Sequence, residues 1–220
     1  MPKRGHFLYN SAMKTFPNIR LFQIEHIHAP RDFHVVQHAH ACLEIGAGKG
    51  KHALGFAAKH PQLHLLAIER TAEKYQAFLK QYQAAPLSNL SPIHADAIAW
   101  SVHGLKPQQL EQIFILYPNP EPKNPAQRWL NMPYFEFLLS RLQDGGSITL
   151  ASNIPDYIAE AAAQCQQVWK LPFVQETIPK HFARTHFETK YLERGEPCSQ
   201  LIITKPQGYA TRFDEFDKTV

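Results

Sequence analysis

The stretch A-C-L-E-I-G-A-G-K-G-K-H-A-L-G-F-A-A-K-H-P-Q-L-H-L-L-A-I-E, from Ala41 to Glu69, indicates the architecture of the whole chain. Its first five residues form an apolar run with one acid, which predicts a strand, and the glycines that follow predict a turn. Helical spacing from Lys51 to His60 predicts a helix that stops before Pro61, and His64 to Glu69 predicts a second strand. Strand, crossover helix and strand of this length form a right-handed βαβ unit with parallel strands.

The glycine spacing indicates which ligand the turn suits. Gly46, Gly48 and Gly50 read G-x-G-x-G, whereas a dinucleotide fingerprint reads G-x-G-x-x-G, and Lys51 stands at its third glycine. No pyrophosphate is therefore expected. Glycines let the backbone approach a ligand closely, and Glu69 at a strand end can accept both hydroxyls of a ribose. The pattern resembles motifs I and II of the class I S-adenosylmethionine-dependent methyltransferases; a plain βα turn that needs glycine for packing is the alternative.

Length and composition favour one globular domain. The chain has 220 residues, of which 44% are hydrophobic and 19% charged, and no apolar run reaches the length of a membrane span. Three cysteines without metal-type spacing favour a reducing compartment, so we expect a cytoplasmic protein. We expect an extension with basic residues and histidines at 1–40, a methyltransferase domain at 41–206 and a loose tail at 207–220. Whether the protein is a monomer or a homodimer stays open.

The charge distribution favours a polyanionic partner. The net charge is +4, and basic residues crowd one late segment, from Lys180 to Arg194. A solvated face is the alternative interpretation of such a run. The extension adds Lys3, Arg4, Lys14 and Arg20, which suit an arm lying over a bound partner, whereas its histidines lack the cysteines or acids of a metal site, and no metal is expected.

The remaining pattern continues the alternation of strands and helices. Asp96 follows a short strand, where it can cap a helix or lie beside the adenine of a ligand. The apolar run from Gln112 to Tyr117 predicts a central buried strand, and the prolines of Pro118 to Lys123 then fix a rigid loop at its carboxyl end, where ligands bind in open α/β sheets. Helices are predicted at 71–82, 133–142 and 155–169, the last capped by Ser152 or Asn153, and strands at 90–94, 147–151, 173–178 and 200–205.

These elements predict an α/β, Rossmann-like, doubly wound sheet of seven mostly parallel strands with an antiparallel edge strand. In this order the chain resembles the bacterial tRNA (guanine-N7)-methyltransferases from about Cys42 to Lys205. The resemblance rests on L-E-I-G-A-G-K-G at 43–50, A-I-E at 67–69, the proline loop at 118–123 and T-H-F-E-T-K-Y at 185–191.

The resemblance implies S-adenosylmethionine as cofactor, tRNA as partner and no membrane. It also implies two sets of site residues. The cofactor set is Glu44, Gly46, Gly48, Gly50, Glu69 and Asp96, and the substrate set is Lys123, Asn153, Thr185 and Glu188, with Asn119 as the catalytic candidate. Guanine N7 has no proton to remove, so positioning dominates. Because the purine becomes cationic, we expect Glu188 to accept from its N1–H and 2-amino group.

Two departures from the family pattern bear on the chemistry. The family loop P-D-P-W-P-K reads P-N-P-E-P-K here, so Asn119 and Glu121 replace an aspartate and a tryptophan, and Asn153 replaces a second aspartate. On the family chemistry, Asn119→Asp should raise methylation. The same asparagine suits an amino-group methyltransferase acting on adenine or glutamine, in which an asparagine holds an exocyclic nitrogen. A catalytically decayed module that binds RNA or cofactor is the third alternative.

Overall fold

The computed structural model describes residues 19–36, 38 and 40–218. They form a seven-stranded sheet flanked by helices. The strands are β1 (Ala41–Ile45), β2 (His64–Glu69), β3 (Leu90–His94), β4 (Leu110–Leu116), β5 (Leu142–Ser152), β6 (Phe173–Thr177) and β7 (Ser199–Thr204). The helices are α1 (Lys51–Lys59), α2 (Ala72–Ala84), α3 (Ala97–Gly104), α4 (Tyr134–Arg141), α5 (Pro155–Gln164) and α6 (His186–Glu193).

The strand order is β3-β2-β1-β4-β5-β7-β6. Strands β1 to β5 are parallel, and β7 is antiparallel to both β5 and β6. The predicted fold class, a mostly parallel sheet with an antiparallel pairing at one edge, is therefore confirmed. The antiparallel strand is β7, which lies one place in from the edge strand β6.

Both faces of the sheet are covered by a hydrophobic core. Along β1, Leu43 and Ile45 belong to the larger core and Cys42 belongs to the smaller one, because successive side chains of a strand point to opposite faces. All five residues of β1 are buried, as expected for the central strand of a parallel sheet. Glu44 shares the face of Cys42, the face against which α1 packs.

The structure departs from the local expectations in three places. The helix after β5 has Ile154 at its N-cap, and neither Ser152 nor Asn153 caps it with a side chain; instead, Ser152 Oγ accepts a 3.1 Å bond from the amide of Ile154. Beyond Gln164 the predicted helix continues as a π-helical turn, Cys165–Trp169. Strand β5 begins at Leu142 instead of Ser147, and its pairing with β4 shifts register between these residues, where Gly145 has a left-handed φ of 79° that suits glycine.

The expectation of a loose C-terminal tail was also wrong for residues 207–218. Phe213 is 2% exposed, and Arg212 forms a buried ion pair with Glu136 of α4. The carbonyls of Phe213 and Phe216 accept hydrogen bonds from the fully buried Arg141 guanidinium. The segment is therefore anchored to the core through Phe213, with Tyr209 and Phe216 packed beside it.

The part of the extension that the structure describes packs beside this segment. The Phe22 ring meets Tyr134 of α4 edge-on, with centroids 5.4 Å apart, and Ile24 is buried. Arg212 Nη2 donates to the carbonyl of Ile19 at 3.3 Å, and Lys218 Nζ donates to that of Ile24 at 3.4 Å. Residues 1–18, which include His6 and the arm residues Lys3, Arg4 and Lys14, lie outside the described part. The remaining arm residue, Arg20, is exposed. Within the described ranges, no helix is long and apolar enough to cross a membrane.

Candidate functional site

A cleft of about 300 Å³ opens at the carboxyl ends of β1 and β4. Its floor is the glycine turn after β1 together with the start of α1, and its far wall is the start of α6. Ligands of open α/β sheets bind at this edge, so the cleft lies where the sequence predicted a site. The lining residues are Glu44, Gly46, Ala47, Gly48, Lys49, Lys51, His52, Lys74, Leu116, Thr185, His186 and Phe187.

The glycines of the turn serve two different purposes. Gly46, Gly48 and Gly50 all have positive φ, at 77°, 60° and 82°. A Cβ at Gly46 or Gly48 would meet nothing within 4 Å, whereas a Cβ at Gly50 would lie 2.0 Å from the Phe78 ring of α2. Gly46 and Gly48 therefore leave open space beside the cleft, and Gly50 is required by the packing of α2.

Glu69 fixes the shape of the glycine turn from the end of β2. Its side chain is 5% exposed, and its Oε2 accepts from the amide of Gly48 at 2.8 Å. The other oxygen, Oε1, accepts from the amide of Thr71 at 2.7 Å. Each carboxylate oxygen has a second lone pair, so Glu69 can still accept a hydrogen bond from a ligand.

A buried acid and a buried histidine face each other under the turn. Oε2 of Glu44 lies 3.0 Å from Nδ1 of His52, with both side chains less than 10% exposed. Neither of these two atoms has a hydrogen bond of acceptable geometry to the described protein. Buried polar groups are nearly always satisfied, so these two atoms indicate a missing polar partner in the cleft.

Asp96 lies outside the lining of the cleft. Its Oδ1 accepts from the amides of Ile98 and Ala99, so it is the N-cap of α3. Its Oδ2 is 3.8 Å from the guanidinium of the exposed Arg70. The capping alternative is thus observed, and contact with an adenine stays a prediction.

The proline loop places its polar residues at the same edge of the sheet, outside the cleft lining. Asn119 is exposed, and its amide donates a 2.7 Å hydrogen bond to Oε1 of Glu121. Glu121 has a φ of 45°, an uncommon conformation for a residue with a side chain. Lys123 is exposed. On the neighbouring strand end, Asn153 donates to Oε2 of Glu196 at 2.8 Å.

Thr185 and Glu188 build the start of α6. Together they form a capping box, in which Thr185 Oγ1 accepts from the amide of Glu188 and the carboxylate accepts from the amide of Thr185. Glu188 is fully buried, and Arg184 Nη2 donates to it at 2.7 Å. Its contacts keep it within its own helix, so contact with a guanine would require Arg184 to move.

Sequence reasoning missed the cationic and aromatic part of the cleft. Lys51 Nζ donates a 2.7 Å hydrogen bond to Thr189 Oγ1, which joins α1 to α6. Lys74 Nζ lies 6.0 Å from the ring centroid of Phe187. Lys51 follows the last glycine directly, and that position could have identified it; Lys74 has no such signal, because only the fold brings α2 to the cleft.

Three aromatic rings form a cluster at the mouth of the cleft. Phe187 is 40% exposed, and its ring centroid lies 6.1 Å from that of Tyr191 and 6.3 Å from that of Tyr117, while the two tyrosine centroids are 5.8 Å apart. Burial raises the pKa of the Tyr117 hydroxyl well above its ordinary value, so this phenol stays neutral. Of the three rings, Phe187 is the one that lines the cleft.

Comparison with known proteins identifies the family. The family model described as "Putative methyltransferase" matches residues 38–201. A tRNA (guanine-N(7)-)-methyltransferase from Nitrosospira multiformis is 31% identical over 76% of this chain and 75% of its own length. The enzyme of that name from Thiobacillus denitrificans is 34% identical over 74% of each chain.

Solved structures agree on the fold. A 16S rRNA methyltransferase, KamB, superposes with a TM-score of 0.61 at 14% identity, covering 82% of this chain and 99% of its own. A methyltransferase from Pyrococcus furiosus superposes with a TM-score of 0.57 at 16% identity, covering 76% of this chain and 75% of its own. At these identities the similarity establishes only the fold, whereas the sequence matches establish the lineage. The chain belongs to the family of the tRNA (guanine-N(7)-)-methyltransferases.

Proposed function

We propose that this protein transfers a methyl group from S-adenosylmethionine to N7 of a guanine in tRNA. The observation that carries the proposal is the pair Glu44 and His52, whose facing polar atoms are buried in the cleft without hydrogen bonds, in a chain of this family. Related proteins bearing the name tRNA (guanine-N(7)-)-methyltransferase support the choice of substrate.

The residues of the cleft fit this cofactor. Glu44 Oε2 can accept a hydrogen bond from an ammonium group. Because Gly46 and Gly48 have no side chains, a ligand can lie against their backbone. Glu69 would accept ribose hydroxyls while it holds the turn, and Asp96 would lie toward the adenine. Gly50 would contribute to cofactor binding indirectly, because its lack of a side chain lets Phe78 pack against the turn, and not by contact with the cofactor.

When bound, S-adenosylmethionine supplies a methyl group on a sulfonium, which the N7 lone pair takes while the C–S electron pair leaves with the sulfur as a neutral thioether. No residue has to remove a proton from N7. The protein must therefore hold the purine in line and stabilise its growing positive charge, and correct positioning can supply roughly 7 to 11 kcal/mol of the barrier. The exposed ring of Phe187, packed beside Tyr117 and Tyr191, offers a face on which the purine can stack.

The segment from Lys180 to Arg194 supplies a surface for the RNA. Lys180, Lys190 and Arg194 are exposed there, and Arg184 lies 5.8 Å over the exposed ring of Phe182. Cations beside exposed aromatic rings suit phosphates and unpaired bases. The buried acid of this segment, Glu188, is paired with Arg184. We therefore assign Glu188 a structural role, which is to maintain the conformation of this segment. We also propose that the protein works in the cytoplasm, where its three free cysteines stay reduced.

The test is incubation of purified protein with unmodified tRNA and S-adenosylmethionine, followed by mass analysis of the nucleosides. We expect 7-methylguanosine as the product. A methylated adenine would support an amino-group methyltransferase instead. Binding of cofactor or RNA without any product would support a decayed module, and either result would overturn the proposal.

A further inference from the structure

Two amide and carboxylate pairs stand at the ends of neighbouring strands. β4 and β5 pair through Leu116 and Ala151, and the amide of Tyr117 donates to the carbonyl of Ala151 at 2.8 Å. Asn119 follows the first strand by three residues, and Asn153 is the residue after the second strand. Both asparagines therefore stand at the ligand-binding edge, and each donates its amide to a glutamate.

The two glutamates differ in how far their charge is balanced. Glu196 lies 3.8 Å from the Arg194 guanidinium, so part of its charge is compensated. Glu121 forms no ion pair with any residue in the described ranges, and its one side-chain hydrogen bond there is to the neutral amide of Asn119. Glu121 therefore presents a net negative charge at this edge, whereas Glu188 is fully buried against Arg184.

The loop holds Glu121 in a defined place. Pro118, Pro120 and Pro122 restrict the backbone around it, and Arg128 Nε donates to the carbonyl of Pro120 at 2.9 Å. The left-handed φ of 45° at Glu121 is costly for a residue with a Cβ, and such conformations cluster at functional sites. The hydrogen bond from Asn119 then fixes the orientation of the carboxylate.

We propose that Glu121 is the carboxylate that faces the methyl acceptor, and that Asn119 is its positioning residue. This inference rests on the proposed function, because it assigns the group that stabilises the cationic purine. As the N7–methyl bond forms, the purine gains a positive charge, and a fixed carboxylate stabilises that charge more in the transition state than in the ground state. The amide at position 119 cannot supply this charge, and the neighbouring glutamate does.

The first experiment compares Glu121→Gln with Glu215→Gln, the same chemical change at an exposed glutamate far along the chain. We expect kcat of Glu121→Gln for 7-methylguanosine formation to fall at least about ten-fold. The KM for tRNA and the affinity for S-adenosylhomocysteine should change less than two-fold, and Glu121→Asp should restore part of kcat. Unchanged kcat in Glu121→Gln, with an active parent protein, would overturn this inference and leave the proposed function intact.

The second experiment does not depend on turnover. 7-Methylguanosine 5′-monophosphate carries the product's positive charge on its purine, and guanosine 5′-monophosphate does not. In calorimetric titrations in the presence of S-adenosylhomocysteine, the parent protein should bind the methylated nucleotide more tightly, and Glu121→Gln should lose most of that preference. An equal preference in both proteins would contradict the role of Glu121.

A reciprocal exchange tests the pair itself. Asn119→Asp alone would place two carboxylates at the 2.7 Å contact, so like charges would repel and kcat should fall rather than rise. Asn119→Asp combined with Glu121→Gln restores one amide and one carboxylate in reversed order, and we expect it to recover activity over either single variant. If Asn119→Asp alone is the most active, the charge belongs at position 119 and the inference is wrong. If the parent protein forms no 7-methylguanosine, the proposed function fails and this inference falls with it.

Discussion

Glu44 and His52 face each other in the buried floor of the cleft, with Oε2 and Nδ1 3.0 Å apart and neither atom hydrogen-bonded to the described protein. A buried carboxylate oxygen without a hydrogen bond destabilises the free protein and can receive a cationic ligand group. Stability and binding should therefore respond to its removal in opposite directions.

Glu44→Gln should bind S-adenosylhomocysteine about ten-fold or more weakly, because a charge-assisted hydrogen bond contributes about 1.5 to 3 kcal/mol. Its free energy of unfolding in urea should stay the same or rise. Glu136→Gln is the matched control, because Glu136 is equally buried but paired with Arg212. That variant should lose stability, by about 3 to 5 kcal/mol on the scale of a broken buried ion pair, and retain its affinity. Loss of stability without loss of affinity in Glu44→Gln would reverse our assignment.

Glu69→Gln should weaken both the hydrogen bonds that hold the glycine turn and the affinity for the ligand. The amide keeps one acceptor oxygen, so either Gly48 or Thr71 loses the acceptor for its backbone amide, at a cost of about 1 to 3 kcal/mol. Calorimetry should record about 10- to 100-fold weaker binding of S-adenosylhomocysteine. The control is Glu73→Gln at an exposed position in the first turn of α2. This change should lower the free energy of unfolding by only a few tenths of a kcal/mol, roughly, through the lost interaction with the helix dipole. Affinity unaltered by Glu69→Gln would exclude the ribose placement.

Phe187→Ala should raise the KM for tRNA, because it removes the exposed ring of the aromatic cluster. Base stacking contributes about 1 to 3 kcal/mol per base, so we expect an increase of about ten-fold, with Phe187→Tyr close to the parent protein. Val174→Ala removes an exposed apolar group on β6, 58% exposed compared with 40% for Phe187, and should have no effect. Steady-state kinetics with tRNA measure the difference. Equal KM values for the two alanine variants would argue against stacking at Phe187.

His64 should make the protein less stable in mild acid. Burial, together with the neighbouring His38, lowers its pKa from 6.5 to about 4. His64 is thus neutral in the folded protein at a pH where the unfolded chain takes up a proton. Its contribution is fully present above pH 6.5 and is lost as the pH falls toward 4, by about 1 to 2 kcal/mol after allowance for partial solvation.

Urea unfolding at several pH values checks this expectation, with His64→Gln as the comparison. The glutamine variant can keep a bond to Ser91, which His64 Nε2 makes at 2.8 Å, but it has no proton to gain. The difference in stability between the two proteins should narrow from pH 7 to pH 4. A constant difference would mean that folding does not lower the pKa of His64.

Much of the fold could be predicted from local sequence, because β1, β2 and β3 are short apolar runs bounded by glycine, proline or a polar turn. Residues whose structure depends on distant partners could not. The segment 180–194 reads as a basic run, yet its residues 186–193 form α6 because Thr185 and Glu188 cap this helix and Lys51 holds it against α1. Phe213 lies among polar residues, and it is buried because Arg141 and Glu136 of α4 engage its neighbours.

The residues of the candidate site also differ in how far the sequence alone could identify their roles. The glycines and Glu69 could be found from spacing alone, since they belong to one continuous stretch. The resemblance suggested a base contact for Glu188, whereas in the structure Arg184, four residues earlier, forms an ion pair with the buried carboxylate. Likewise, Asn119 looked like the loss of a charge, whereas the fold brings Glu121 within 2.7 Å of it.

The hydrogen bonds from Arg212 and Lys218 to the carbonyls of Ile19 and Ile24 join the two ends of the described chain. Translation produces residues 19–24 before any of the seven strands and residues 212–218 after all of them. The central sheet can therefore form around β1 and β4 before Arg212 and Lys218 are made. The contacts that hold residues 19–24 are added to a sheet whose strands have already been synthesised.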